Sequence, residues 1–348
     1  MPSGALRRWG AWALLFATIL IAAPAAYSEI GSDGDDDSGT LLGNYLSGRM
    51  ARGDHNLEAA AEFYSKALAE DPKNEMILEQ AFLLEAASAD WDNAIKLAKE
   101  IVKTDSTNRL ARFLLGCEAF KQGRYDEADE NFAEARQGPI ADLTSTLARA
   151  WTKEAAGKPK EALAALDSLS DADWAQYYQR YHRALIADLA GKRDIARQAY
   201  AQAFKKNPAT LRVAEAYARH ALNANNRKLA RQTLKSHIAK SASHPLSEAL
   251  LAEIEAGKTP PLLVQSSTQG LAEVFYGIGD ALAGEGGLEM GIIFLQFALY
   301  LEPDFQLADS ALAEAYENAK SNDLEIAALD RIKPDSPLGV GAQIQNAL

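Results

Sequence analysis

Six alanines, Ala60, Ala94, Ala128, Ala162, Ala196 and Ala230, stand 34 residues apart with no insertion or deletion between them. A fixed period of this length describes an array of like units, each of which buries its apolar face only against its neighbours. Flanking positions keep the same step. Four residues after the alanine stand Tyr64, Phe132, Leu166, Tyr200 and Leu234, with Ala98 the small exception. Twelve residues before it stand Gly48, Gly116, Ala150, Ala184 and Ala218. Gly123, Gly157 and Gly191 repeat inside units, while "EDPKN" (70–74), "TDSTN" (104–108) and "KKNPA" (205–209) fall between them. Each unit therefore reads as two antiparallel helices of about 12–15 residues, with a glycine ending the first.

Small residues at fixed places let the two helices cross closely, and in the third unit the crossing pair is Gly116 and Ala128. Phe132, one turn past Ala128, is expected to fill the gap between its own pair and the next. Alanine is abundant, β-branched runs are few and 48% of the chain is hydrophobic, which fits an all-α protein.

The stretches "LLGCEAFKQGRYDEADENFAEA" (114–135), "AAAEFYSKALAEDP" (59–72) and "IARQAYAQAFKKNP" (195–208) resemble the tetratricopeptide repeat (TPR) family. That family's pattern runs from a large apolar residue through Leu-Gly and an aromatic to Ala, aromatic, Ala and Pro. The resemblance implies an all-α, right-handed α-solenoid of about eight helix-turn-helix repeats. It also implies a concave groove, lined by the first helices, that takes a peptide or helix of a partner protein.

Outside the array the chain changes character. Arg7 and Arg8 precede the apolar run "WGAWALLFATILIAAPAA", so residues 1–28 read as a signal peptide cleaved after Ser28. The alternative is an uncleaved anchor, since about 18 apolar residues suffice to span a bilayer. Residues 29–40 form an acidic linker. Its aspartates imitate a calcium loop only loosely, because Ser38 and Asn44 stand where Gly and the bidentate Glu belong. Six units occupy 41–244. Gly291 then follows Ala230 by 61 residues, one period plus a 27-residue insertion. The inserted helix and loop occupy 245–271, two further units 272–337, and the start of an incomplete ninth 338–348. The paired prolines of "GKTPP" are expected to couple the two sub-arrays only weakly. The missing terminal cap is expected of a chain cut short, or of one whose last helix meets a partner.

No catalytic constellation is present in the sequence. The five histidines, His55, His182, His220, His237 and His244, lack metal-ligand spacing, and there is neither a phosphate loop nor a nucleophile elbow. No metal, cofactor or enzymatic activity is expected. A net charge of −12, with acids and bases mixed along each segment, argues against a nucleic-acid partner. Cys117 is the only cysteine, and its default role is that of a small buried apolar residue.

Projecting the TPR lining onto this chain nominates Arg49 and Arg52 at a basic start, and Phe113, Cys117 and Phe120 in the third unit. Leu147, Trp151, Tyr178, Tyr181, Leu185 and Arg219 follow, then an acidic end at Asp280, Glu314 and Glu317. Trp151 and Tyr181 are out of phase with the third unit's stripe, so core and lining both stay open for them. Tyr45, Arg49, Glu79 and Phe113 stand where a carboxylate-clamping receptor would carry Lys and Asn, so a receptor of that kind is not expected. The function implied is a non-enzymatic protein–protein interaction scaffold in the periplasm of a Gram-negative cell envelope. Its rivals are an inner-membrane-anchored assembly factor, touching the membrane only through an uncleaved N-terminal helix, and the TPR region of a longer enzyme.

Overall fold

Local chemistry starts and stops the helices. Asn56, Asn74, Asp90, Asn108 and Asn226 each accept a backbone N–H three residues on, so five helices begin with a side-chain cap. The computed structural model describes residues 39–54, 56–169, 172–241 and 244–347. The signal segment, the acidic linker up to Ser38, and His55 lie outside the described residues. Every regular element among the described residues is helical.

Six helix pairs come first. They are α1 (Leu41–Gly53) with α2 (Leu57–Glu70), α3 (Glu75–Ala87) with α4 (Trp91–Thr104), and α5 (Arg109–Lys121) with α6 (Tyr125–Glu134). Next come α7 (Pro139–Ala155) with α8 (Pro159–Ala165), α9 (Asp173–Leu189) with α10 (Arg193–Lys206), and α11 (Leu211–Asn223) with α12 (Arg227–Ile238). The single helix α13 (Pro245–Glu255) precedes α14 (Ser267–Gly284) with α15 (Leu288–Leu301), then α16 (Gln306–Asn318) with α17 (Asn322–Asp330), and finally α18 (Gly339–Asn346).

The turn inside each of units two to six is set by one residue in the left-handed region, and these residues keep the 34-residue step: Ala89, Gly123, Gly157, Gly191 and Asn225. Gly is at ease there and Asn is tolerated, whereas alanine is not. Ala89, at φ 63°, therefore carries a steric cost that its glycine counterparts lack. Ala89→Gly is expected to stabilise the protein by about 0.5–1 kcal/mol, the steric relief exceeding the added chain entropy. A higher urea midpoint at unchanged slope would be the sign, and an unchanged or lower midpoint would count against it.

All six alanines of the 34-residue series are inaccessible to solvent, and Tyr64, Phe132 and Tyr200 are buried beside them. Tyr200 reaches the next unit as the spacing suggests, its ring stacked 5.8 Å from that of Tyr217, but the aromatics of the first and third units also fill space within their own pairs. Phe132 packs over Gly116 of its own pair, where an added Cβ would come within 2.4 Å of the ring; Tyr64 covers Gly48 in the same way. At Gly48 and Gly116 the glycine makes room for a ring, whereas at Gly279 it makes room for the facing backbone at Leu295 and Gly291.

The insertion turns the chain back on itself. Helix α13 caps the sixth pair, with Leu250 and Ile254 buried against Ala218, Leu222 and Leu234. The segment after it is pinned: the Arg227 guanidinium donates to the carbonyls of Ile254, Gly257 and Lys258, and Asn223 donates to that of Pro260. Helix α14 then lies across α7 and α9, and α15 against α3 and α5. One hydrophobic cluster consequently runs from Leu78 to Ala342, through both sub-arrays. The weak coupling expected across "GKTPP" is not what this packing implies.

Candidate functional site

The inner face of the first six pairs is already occupied. Phe113 meets Phe275 and Phe294 edge-on, at 5.9 and 5.8 Å between ring centres. Trp91 packs on Phe297 and Tyr300. Gln296 and Tyr316 both donate to the Ala87 carbonyl, and Arg52 pairs with Glu289. The seventh unit thus fills the groove that an open array would offer a partner.

This corrects the nominated lining. Phe113, Cys117 and Phe120 are 1, 0 and 3% exposed, because α14 and α15 cover the face that they share. Burial pushes the Cys117 thiol well up, which leaves it inert. Trp151 is core as well, pressed against Gly270, where a Cβ would come within 2.3 Å of the indole. Tyr181 is buried and donates to Glu273 at 3.1 Å. Arg52 is taken up by Gln80 and Glu289, and Arg219 by the Pro261 carbonyl. Arg49 is exposed and lies over the Tyr45 ring on α1, four units before Tyr178 in the chain.

What stays open is a trough along α14. Its polar end is a cleft of about 330 Å³ between α9, the start of α11 and α14, lined by Tyr177, Tyr178, Tyr181, Arg212, Glu273, Tyr276 and Asp280, among others. Tyr178 donates to the Gly277 carbonyl at 3.0 Å, which fixes its ring as one wall. Arg212 forms the base, bound to Glu215 at 2.8 Å and to Glu273 through two nitrogens, with the Phe305 ring 5.5 Å away. Burial works against its charge, but Glu273 and Glu215 outweigh that and hold the guanidinium well above its usual range. Asp280 stands exposed at the mouth, its carboxyl pushed up by desolvation and by Glu314. Tyr178 is pushed up to about 12, by burial first and then by Asp280 and Glu285.

Past Tyr178 the trough turns apolar. A second cavity of about 320 Å³ is lined by Ile140, Leu143, Trp174, Ile278 and Leu282 together with Tyr178. Trp174 and Ile140 are 44 and 45% exposed, high for such large apolar side chains on adjoining walls.

No family model matches the sequence, and no curated protein matches it. Solved structures do resemble the fold. A tetratricopeptide repeat protein from Parabacteroides merdae aligns over 79% of this chain and 98% of its own, at 10% identity and a TM-score of 0.50. The Naa15/Naa10 complex bound to HypK aligns over 89% of this chain and 56% of that one, at 16% identity and a TM-score of 0.40. For the Cut9–Hcn1 assembly of the APC/C the values are 88 and 55%, 13% and 0.35. The fold is TPR-like.

Within that TPR-like frame, two side chains important to the cleft escaped the sequence reading, Arg212 and Glu273. The signal for Glu273 was available. A lone acid inside "LAEVFYGIG" sits in an apolar run, and a buried carboxylate needs a partner. Trp174 also went unnominated, since it stands at the start of α9, outside the lining stripe.

In the wall of the cleft, Trp151 Nε1 donates to His182 Nδ1 at 3.0 Å, which leaves the imidazole proton on Nε2. Burial pushes His182 down to about 3. A folded value below the unfolded one gives stability that is present above about pH 6.5 and lost as pH falls toward the folded value. Between about pH 7 and 5, the wild type is expected to lose about 2 kcal/mol more than His182→Gln. Urea unfolding at both pH values checks this; equal losses would mean that the folded protein protonates His182. Among the described residues no group of three or more His, Cys, Asp or Glu side chains could hold a metal ion.

Proposed function

We propose that this protein is a non-enzymatic interaction scaffold that binds a segment of a partner protein in the trough along α14. The carrying observation is the pair of adjoining cavities on either side of Tyr178, one polar and one apolar, next to an inner groove that the chain itself fills. An apolar stretch with a polar end suits an extended segment whose side chains alternate between pockets. Exposed Trp174 supplies a large aromatic surface of the kind that dominates binding energy at interfaces.

The place of action in this reading is the cell envelope, supported by Arg7, Arg8 and the apolar run after them. Mass spectrometry of the N-terminus decides between its two forms. A chain beginning at Glu29 in the periplasmic fraction supports export, and one beginning at Met1 in the membrane fraction supports the anchored assembly factor.

Binding itself is tested with a photoreactive phenylalanine analogue at position 174 in cells. It should crosslink to a discrete protein, whereas the same group at exposed position 197 on α10 should not. Equal or absent crosslinking from both positions would remove the trough from the function.

A further inference from the structure

We infer that the polar end of the trough receives a cationic side chain, a lysine ammonium or arginine guanidinium carried by the partner segment, held between tyrosine rings and the Asp280 carboxylate. The inference rests on the trough being the binding surface and specifies its chemistry.

Charge comes first. Among the described residues Arg212 is the one cation lining the cleft, and Glu215 and Glu273 already engage it. Asp280 adds a carboxylate with no ion-pair or hydrogen-bond partner among the described residues. With Arg212, Glu273 and Asp280 ionised the described lining carries one positive and two negative charges, a net of −1. The charge that bears on Asp280 is another acid, Glu314, and Glu285 is felt at Tyr178. A partly desolvated carboxylate facing a like charge gains more from an arriving cation than a solvated one does.

Aromatic surface is the second observation. Tyr177, Tyr178 and Tyr276 line the same cleft, and the charge of Asp280 reaches all three. Ring faces attract cations, more strongly where water is thinned out. The cleft volume falls at the lower end for sites that take small groups. His182 also lines it, is 1% exposed and has no partner for Nε2 among the described residues. Being neutral, it adds no repulsion, and its N–H offers a donor to a carbonyl oxygen of the same segment. An acidic segment would meet Asp280, on which Glu314 already bears, and find the one guanidinium lining the cleft among the described residues doubly paired.

The test uses the full chain labelled with 3-fluorotyrosine, followed by fluorine NMR. The probes are N-acetyl-lysinamide, N-acetyl-argininamide, neutral N-acetyl-norleucinamide and anionic N-acetyl-aspartamide, with resonances assigned through single Tyr→Phe variants. The two cationic probes should shift the signals of Tyr177, Tyr178 and Tyr276 saturably, and the neutral and anionic ones should not. Asp280→Asn, a surface change, should weaken the cationic probes about tenfold. Equal shifts from the neutral probe, binding of the anionic probe, or unchanged affinity in Asp280→Asn would each overturn the inference. A crosslink at position 174 that survives Asp280→Asn would keep the trough and remove only its cation. No crosslink in the wild type would remove the trough itself.

Discussion

Phe275→Ala should lower the stability of the whole protein by about 3–5 kcal/mol, through one transition and not through a local one. Phe275 is fully buried, and its ring lies 5.9 Å from Phe113, 5.7 Å from Phe294 and 5.5 Å from Phe297. It therefore joins the seventh unit to the inner face of the third. In an open repeat array each unit touches only its neighbours, and damage to one unit leaves distant ones near their own melting point. Here the insertion returns the seventh unit to units two to five, so sequence distance no longer measures coupling. Urea unfolding read by helix content and by tryptophan emission separates the two cases, because Trp91 and Trp151 both sit against the returning helices. Coincident curves, both shifted in the variant, are expected. A variant in which the tryptophan signal keeps its wild-type midpoint while part of the helix melts early would mean that the two sub-arrays are independent.

The same geometry explains which parts of this fold could be read from the residues. Gly116 and Phe132 are sixteen residues apart and touch within one unit, so the repeat carries that contact in its spacing. The left-handed turn at Gly123, Gly157 and Gly191 is equally local. Phe113 is different, because whether it lines a groove or fills a core depends on Phe275, which no repeat spacing connects to it. A clue did exist in "MGIIFLQFALYL" (290–301). A helix apolar on every side must be covered on every side, and α15 buries Ile292, Phe294, Leu295, Phe297 and Leu299 around its circumference. A terminal repeat of an open solenoid would not have that pattern. Asp280, which lines the cleft, was nominated from its place on the first helix of its unit, which needs no long-range contact. The base of the cleft was not, because Arg212 and Glu273 belong to units on opposite sides of the insertion.

That base carries the second large effect. Arg212→Met should cost about 3–5 kcal/mol, because it strands two carboxylates in the interior. The side chains of Glu215 and Glu273 are 3 and 4% exposed, and Arg212 is the cation that both share. Tyr181 contributes one hydrogen bond to Glu273, far short of replacing a guanidinium. Neutralising the whole set, Arg212→Met with Glu215→Gln and Glu273→Gln, removes the stranded charge along with the pair. The triple variant should therefore be more stable than Arg212→Met alone, although it carries two more substitutions. The single variant should also have a distinctive pH dependence. A stranded carboxylate gains a proton more readily folded than unfolded, so the deficit narrows as pH falls from about 7 to about 5. Urea unfolding of wild type, single and triple variants at the two pH values reads all of this. A single variant that loses little, or a triple variant that loses the sum of its parts, would mean that water reaches these carboxylates. The cleft would then be a solvated surface, and its floor would give an incoming cation little more than bulk water does.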